Sequence, residues 1–242
     1  MRPLSAHDLL RVWELGEDQH PLDRALTILA TACPELTWDE LATLSIGQRD
    51  ARLLALREHT YGPKLEGFVE CPTCGASLEF DVMAADLRAT ETAAEQDLAL
   101  ASDGFELRFR LPDSRDLAAV LGCRDLTEAR DLLMQRCVLE ARREGTPVAD
   151  SELPADIAAE VSRSMSEHDP QAEVLIDLRC PTCHYRWRAL FDIVTFFWTE
   201  LSAQAKRLLR EVHALARAYG WREADILGMS ARRRQFYLEL AT

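Results

Sequence analysis

Apolar residues fall at helical spacing through the first 62 positions. Ser5 can cap a helix carrying Leu9, Leu10, Val12, Trp13 and Leu15, which Gly16 stops. Pro21 opens a second, with Leu22, Ala25, Leu26, Leu29 and Ala32 on one face, ending before Pro34. Thr37 caps a short third helix through Leu44. A fourth starts near Gly47, carries Ala51 and Leu54, and breaks at Tyr61-Gly62-Pro63. Trp13 and Trp38, at helical spacing, read as core anchors rather than as an aromatic ligand patch.

The period then changes to two. Residues 65–70 and 78–82 alternate on either side of Cys71-Pro72-Thr73-Cys74, and residues 174–178 and 185–191 do so around Cys180-Pro181-Thr182-Cys183. Residues 105–111 alternate too, with an apolar face of Phe105, Leu107, Phe109 and Leu111, and are a candidate to extend the same sheet. Residues 84–101 are small and acidic (Asp86, Glu91, Glu95, Asp97) and read as a surface helix or connector. Helices are expected around 113–121 and 127–143, the second with a buried row of Leu133, Cys137 and Ala141. Residues 145–147 read as a loop, and 154–166 as a further helix ending at His168-Asp169-Pro170.

The longest helix is expected from Asp192 to Tyr219, stopped by Gly220, with a stripe of Ile193, Phe197, Leu201, Leu208, Val212, Leu215 and Tyr219. Phe196 and Trp198 lie off that stripe. A short helix and a second one capped by Ser230, bearing Arg232-Arg233-Arg234, complete the tail. This tail echoes the stretch from Trp38 to Leu56, as a short helix, a Ser-led turn and an Arg-bearing helix, with spacings that differ by a residue or two.

These patterns predict an α+β fold, mainly helical, with helices packed around a small split zinc-ribbon-like β element. The expected regions are an N-terminal helical part (1–63), a first knuckle (64–83), an inserted strand-plus-helices region (84–172), a second knuckle (173–191) and the long helix with its tail (192–242).

The repeated tetrapeptide carries the chemistry. A Cys-x-x-Cys turn between strands aims two sulfurs at one point, and two such turns supply four thiolates for a tetrahedral ion. Cys71, Cys74, Cys180 and Cys183 are thus expected to hold one structural Zn2+ per chain, although iron suits the same donors. A thioredoxin-like dithiol would lead into a helix, and each pair here leads into an alternating run. Between Cys74 and Cys180 lie 105 residues, so the ion would tie distant parts of the chain together. Four thiolates leave no open position for a catalytic water. His184 follows Cys183 where Gly75 follows Cys74, and reads as a residue tolerating positive φ rather than a ligand.

Composition narrows the function. The 242 residues are 48% apolar, enough for a sizeable core, with no apolar run of membrane-spanning length and no apolar stretch of a secretory signal at the start. Seven cysteines, of which Cys33, Cys123 and Cys137 stand outside the pairs, fit a reducing cytoplasm. The net charge is −13, but from Cys180 onward ten basic residues face six acids, leaving the remainder at −17. Such asymmetry suits contact between acidic and basic faces. It disfavours the alternative reading, a zinc-ribbon nucleic-acid-binding regulator using the basic tail. No phosphate loop, His-Glu-x-x-His or Gly-x-Ser-x-Gly motif supports an enzyme.

Residues 44–58, Tyr61-Gly62, the two Cys-Pro-Thr-Cys turns and the tail from Ile226-Leu227-Gly228-Met229-Ser230 through Arg233-Arg234 to Tyr237-Leu238 together resemble a known family. The chain is similar to T4-type baseplate hub assembly chaperone proteins of contractile tails, in phages and in phage-tail-like injection systems. The resemblance implies a non-enzymatic assembly or structural role, with baseplate or hub and spike proteins as partners, and the net charge of −13 predicts no specific nucleic-acid binding. It implies a cytoplasmic place during assembly, with or without retention in the tail particle. Phe196 and Trp198, aromatics that the helix stripe does not use, and Arg232, Arg233 and Arg234 are the expected partner-binding residues.

Overall fold

The computed structural model of the chain describes residues 1–89, 97–149 and 153–241. The N-terminal helices form where their caps predict: α1 (Ala6–Gly16), α2 (Pro21–Ala32), α3 (Trp38–Ala42) and α4 (Ile46–Tyr61). Ser5, Thr37 and Ser45 each accept from the third backbone N–H of their helix while the residue there reaches back, closing three capping boxes. The first hairpin follows, β1 (Lys64–Glu70) with β2 (Ser77–Met83). The second pairs β7 (Leu175–Arg179) with β8 (Arg186–Leu190).

Helix α8 (Ile193–Tyr219) is the spine. At 27 residues it runs about 40 Å. Asp192 caps it by accepting from the Val194 and Thr195 N–H groups, and Gly220 ends it at φ +68°. Its buried stripe of Ile193, Phe197, Leu201, Ala205, Leu208, Val212 and Leu215 joins one core with Leu9, Val12, Ile28, Leu29, Leu41, Leu53, Leu56 and Leu65. Helices α9 (Glu223–Leu227) and α10 (Ala231–Leu240) fold back on its C-terminal half.

The segment between the hairpins builds a second core around Phe105, Leu107, Phe109, Met134, Ile157 and Val161. Here the structure corrects three expectations. Residues 105–109 are strand β4, but they join a separate antiparallel sheet rather than either hairpin. Its order is β3 (Leu98–Ser102), β4 (Phe105–Phe109), β5 (Val138–Arg143) and β6 (Thr146–Pro147). The helix expected over 127–143 is α6 (Leu126–Cys137), and its last six residues are β5. Glu, Ala and Arg there favour helix, yet pairing of Val138 with Phe109 and Ala141 with Leu107 overrides that preference. Residues 146–147 form a short strand instead of a loop, because Glu144 and Gly145 both take positive φ and make a hairpin turn.

Helices α5 (Ser114–Val120) and α7 (Ala155–His168) complete this region. Of the acidic stretch 84–101, residues 84–87 are a 3-10 turn and 98–101 belong to β3, while 90–96, with Glu91 and Glu95, lie outside the described residues. Trp13 packs on the core as expected. Trp38, however, is 46% exposed, because α3 buries Leu41 and Ala42 and turns its first residue outward.

The echo between the two ends is closer than its sequence suggests. Helices α9 and α10 each begin 185 positions after α3 and α4, Glu223 after Trp38 and Ala231 after Ile46. Ser45 and Ser230 match as caps, so no spacing difference remains.

Candidate metal centre

The first hairpin hangs from the end of α4 and the second runs directly into the start of α8, so whatever joins α4 to α8 sets the hairpins side by side. Arg57 does this. Its guanidinium is 3% exposed and grips Glu200 of α8 through two bonds of 2.8 and 2.6 Å. A remaining N–H group reaches the carbonyls of Gly62 and Lys64 at the root of β1. A buried cation fully paired in this way is costly to disturb. Gly67 allows the close approach of the aromatics: a Cβ there would lie 2.7 Å from Phe80 and 3.2 Å from Phe196.

At the tips the two turns share one geometry. Cys71 N–H donates to the Ala76 carbonyl and Gly75 N–H to that of Cys71, both at 2.9 Å. Cys180 N–H donates to Tyr185 and His184 N–H to Cys180, at 2.9 and 3.0 Å. Gly75 and His184 stand at φ +70° and +60°, the role expected of His184. Each turn therefore presents its two sulfurs to the same side.

The four Sγ atoms converge. Cys71 lies 3.6 Å from Cys183, Cys74 lies 3.6 Å from Cys180, and all four fall within 4.8 Å of one another. Four thiolates around one zinc at about 2.3 Å stand roughly 3.8 Å apart, so the spacing is that of a tetrahedral set. It is well beyond the bonding distance of a disulfide, and all four cysteines are free. Cys71 and Cys180 are buried under Val69, Leu78 and Trp187, while Cys74 and Cys183 are exposed.

The thiol acidities match this arrangement. N–H groups of Cys183 and Thr182 point at the Cys180 sulfur and draw its pKa down to about 6. Cys71 is lowered as well, its desolvation being outweighed by the N–H groups of Cys74 and Thr73. Cys74 goes the other way: the Ala76 N–H lowers its pKa, but desolvation and the neighbouring sulfurs outweigh it and push it up to about 12. Four like charges so close do not coexist without a cation, and a divalent ion removes the conflict. The donor set, its spacing and its dry backing all fit a closed, structural metal ion.

The other expected site residues lie elsewhere. Phe196 is half-buried against Phe191 and the Arg57 guanidinium. Trp198 packs on Gly16, with Arg24 4.5 Å over its ring. Arg234 is 4% exposed, bonded to Glu211 at 3.0 Å and to the Met229 carbonyl at 2.6 Å. Arg232 and Arg233 are exposed. From Trp198 to the Glu211 that holds α10 is about 20 Å along α8, so the aromatic and basic groups do not form one patch.

Sequence reasoning missed Arg57, Gly67 and Asp169. Asp169 accepts a bond from the Gly47 N–H and so ties the inserted region to α4. No helix among the described residues is long and apolar enough to cross a membrane.

Compared with known proteins, the chain matches a family model described as T4 bacteriophage base plate protein over residues 5–198, a span that contains both cysteine turns and the Arg57–Glu58 end of α4. No curated protein and no solved structure matches it.

Proposed function

The chain belongs to the T4 bacteriophage base plate protein family, and on that footing we propose that it is a non-enzymatic assembly or structural component of a contractile-tail baseplate. The family match, running through all the core helices up to the start of α8, is the observation that carries this reading. The chain acts by binding hub, spike or other baseplate proteins, during assembly in the cytoplasm and then within the tail particle. Phage tails and phage-tail-like injection systems are both served by such a part.

Within this role the four cysteines hold one zinc ion. The ion supplies no chemistry to a substrate; it locks two hairpins that the chain makes 105 residues apart. Arg57 and Glu200 hold the same hairpins at their roots. A baseplate part must keep its shape under load, and a scaffold closed at both ends of its hairpins does so.

The experiment is deletion and complementation in a host that makes the particle, scored by electron microscopy. Loss of the chain should leave tails without complete baseplates, and the intact chain should restore them. Normal particles without the chain would refute the assignment.

A further inference from the structure

Two helical pairs sit at the two ends of the chain, α3–α4 and α9–α10, and they differ in one respect. Residues 36–44 and 221–229 show the same burial position by position, with Leu41 and Ile226 fully buried in both. Arg49 and Arg234, each four residues after a serine cap, are both 4% exposed. Between cap and arginine the likeness ends: residues 45–48 are buried or half-buried, and residues 230–233 are exposed.

The inserted region makes the difference. Ile46 N–H donates to the Pro112 carbonyl at 3.1 Å, and Ser45 pairs with Asp113 in an antiparallel bridge. Arg49 reaches the Ser114 hydroxyl, and Asp169 accepts from the Gly47 N–H at 2.9 Å. Two separate parts of the inserted region, the extended Pro112–Asp113 backbone and the Asp169 carboxylate, thus satisfy the helix's leading N–H groups at the first shoulder. At the second shoulder the matching N–H groups, those of Ala231 and Arg232, have no partner among the described residues.

We propose that the second shoulder receives, from one extended segment of another baseplate protein, the two groups that the first receives from separate parts of its own chain: a backbone carbonyl and a carboxylate. This rests on the baseplate reading and names the chemistry of the partner. Charge supports it: Arg232 and Arg233 are exposed, and among the described residues neither is in an ion pair. The one substitution that matters points the same way. Gly47 admits the Asp169 carboxylate because a Cβ there would lie 2.0 Å from its oxygen. At the same place the second copy has Arg232, so the partner's carboxylate would meet the guanidinium rather than the backbone. That leaves the Ala231 N–H for a carbonyl, as the Ile46 N–H is taken by Pro112. Phe236 and Leu240, 59% and 64% exposed, continue the Arg232 face at four-residue steps and offer the segment an apolar seat. A second copy of this chain is a poor occupant, because its own Pro112–Asp113 stretch is already bound to its own Ile46.

The test places a benzophenone amino acid at Ala231 in the full chain, co-expressed with the other baseplate proteins of its particle, and maps the photo-adduct by mass spectrometry. The expected result is an adduct to one of those proteins, at a segment containing Asp or Glu. The R232E/R233E variant should reduce it at least tenfold with an unchanged melting temperature, while an adduct from exposed Leu126 does not change. No adduct, an adduct to a second copy, a segment without carboxylates, or indifference to R232E/R233E would each overturn the proposal. Particle assembly is scored in the same cells. Assembly that needs the chain without an Ala231 adduct sinks only this inference; assembly that does not need the chain sinks the baseplate role.

Discussion

Asp169 and Gly47, 122 positions apart, meet through a buried hydrogen bond of 2.9 Å from the Gly47 N–H to the carboxylate. The inserted region thereby caps a helix of the N-terminal core. The alternative at position 47 is closed, since any Cβ would strike the carboxylate. Gly47→Ala should destabilise the protein by about 2 kcal/mol, the scale of a lost cap plus a steric clash. Denaturant titration reads this directly, and an unchanged midpoint would show that the contact contributes nothing.

Asp116 is fully buried, accepting from Arg110 at 2.5 Å and from Arg136 at 2.8 Å. Desolvation raises its pKa, but the two guanidiniums and the Asp113 N–H outweigh it and hold it at about 2, below the ordinary 3.8. A depressed folded pKa means stability that is present above the unfolded value and lost as pH falls through the folded one. Melting temperature should therefore drop between about pH 4 and pH 2. Asp116→Asn should flatten that slope while costing about 3 kcal/mol at neutral pH. A slope unaltered by Asp116→Asn would place the acid sensitivity elsewhere.

The three tail arginines should separate by variant. Arg234→Glu faces Glu211 across a buried pair and should cost about 3 kcal/mol. Arg232→Glu and Arg233→Glu, on the surface, should each stay within roughly 0.5 kcal/mol. Equal effects at all three would contradict the burial of Arg234. Trp198→Ala should also act on stability, by about 2 kcal/mol, because its ring fills the space beside Gly16.

Nucleic acid gives a simple check on the competing reading. With net charge −13 and Arg234 committed to Glu211, binding to duplex DNA at physiological salt should be weaker than about 10 μM, with no sequence preference. Micromolar or tighter binding with a steep salt slope would revive the regulator.

Much of this was legible in the chain, for local reasons. Ser5, Thr37 and Ser230 announce helix starts, the α8 stripe announces a spine, and the two Cys-x-x-Cys turns announce their own convergence. What was hidden depends on distant partners. Residues 138–143 are strand because Phe109 and Leu107 pair with them, which no local propensity records. Arg57 looks like any surface arginine of a helix until Glu200 arrives from 143 residues away. Trp198 reads as a spare aromatic because the gap it fills is opened by Gly16, on another helix. The two helical pairs do match in sequence without a gap, but only if they are aligned on Ser45 and Ser230 rather than on their tryptophans.

In the proposed scaffold Cys71, Cys74, Cys180 and Cys183 share one ion, and native mass spectrometry of the purified chain measures that directly. The expected mass is that of one chain plus one zinc. Replacing any one of the four by Ser should remove the ion and lower the melting temperature by at least about 10 °C, since metal affinity adds to folding stability. Two ions per chain, or none with four free thiols and an unchanged melting temperature, would contradict it.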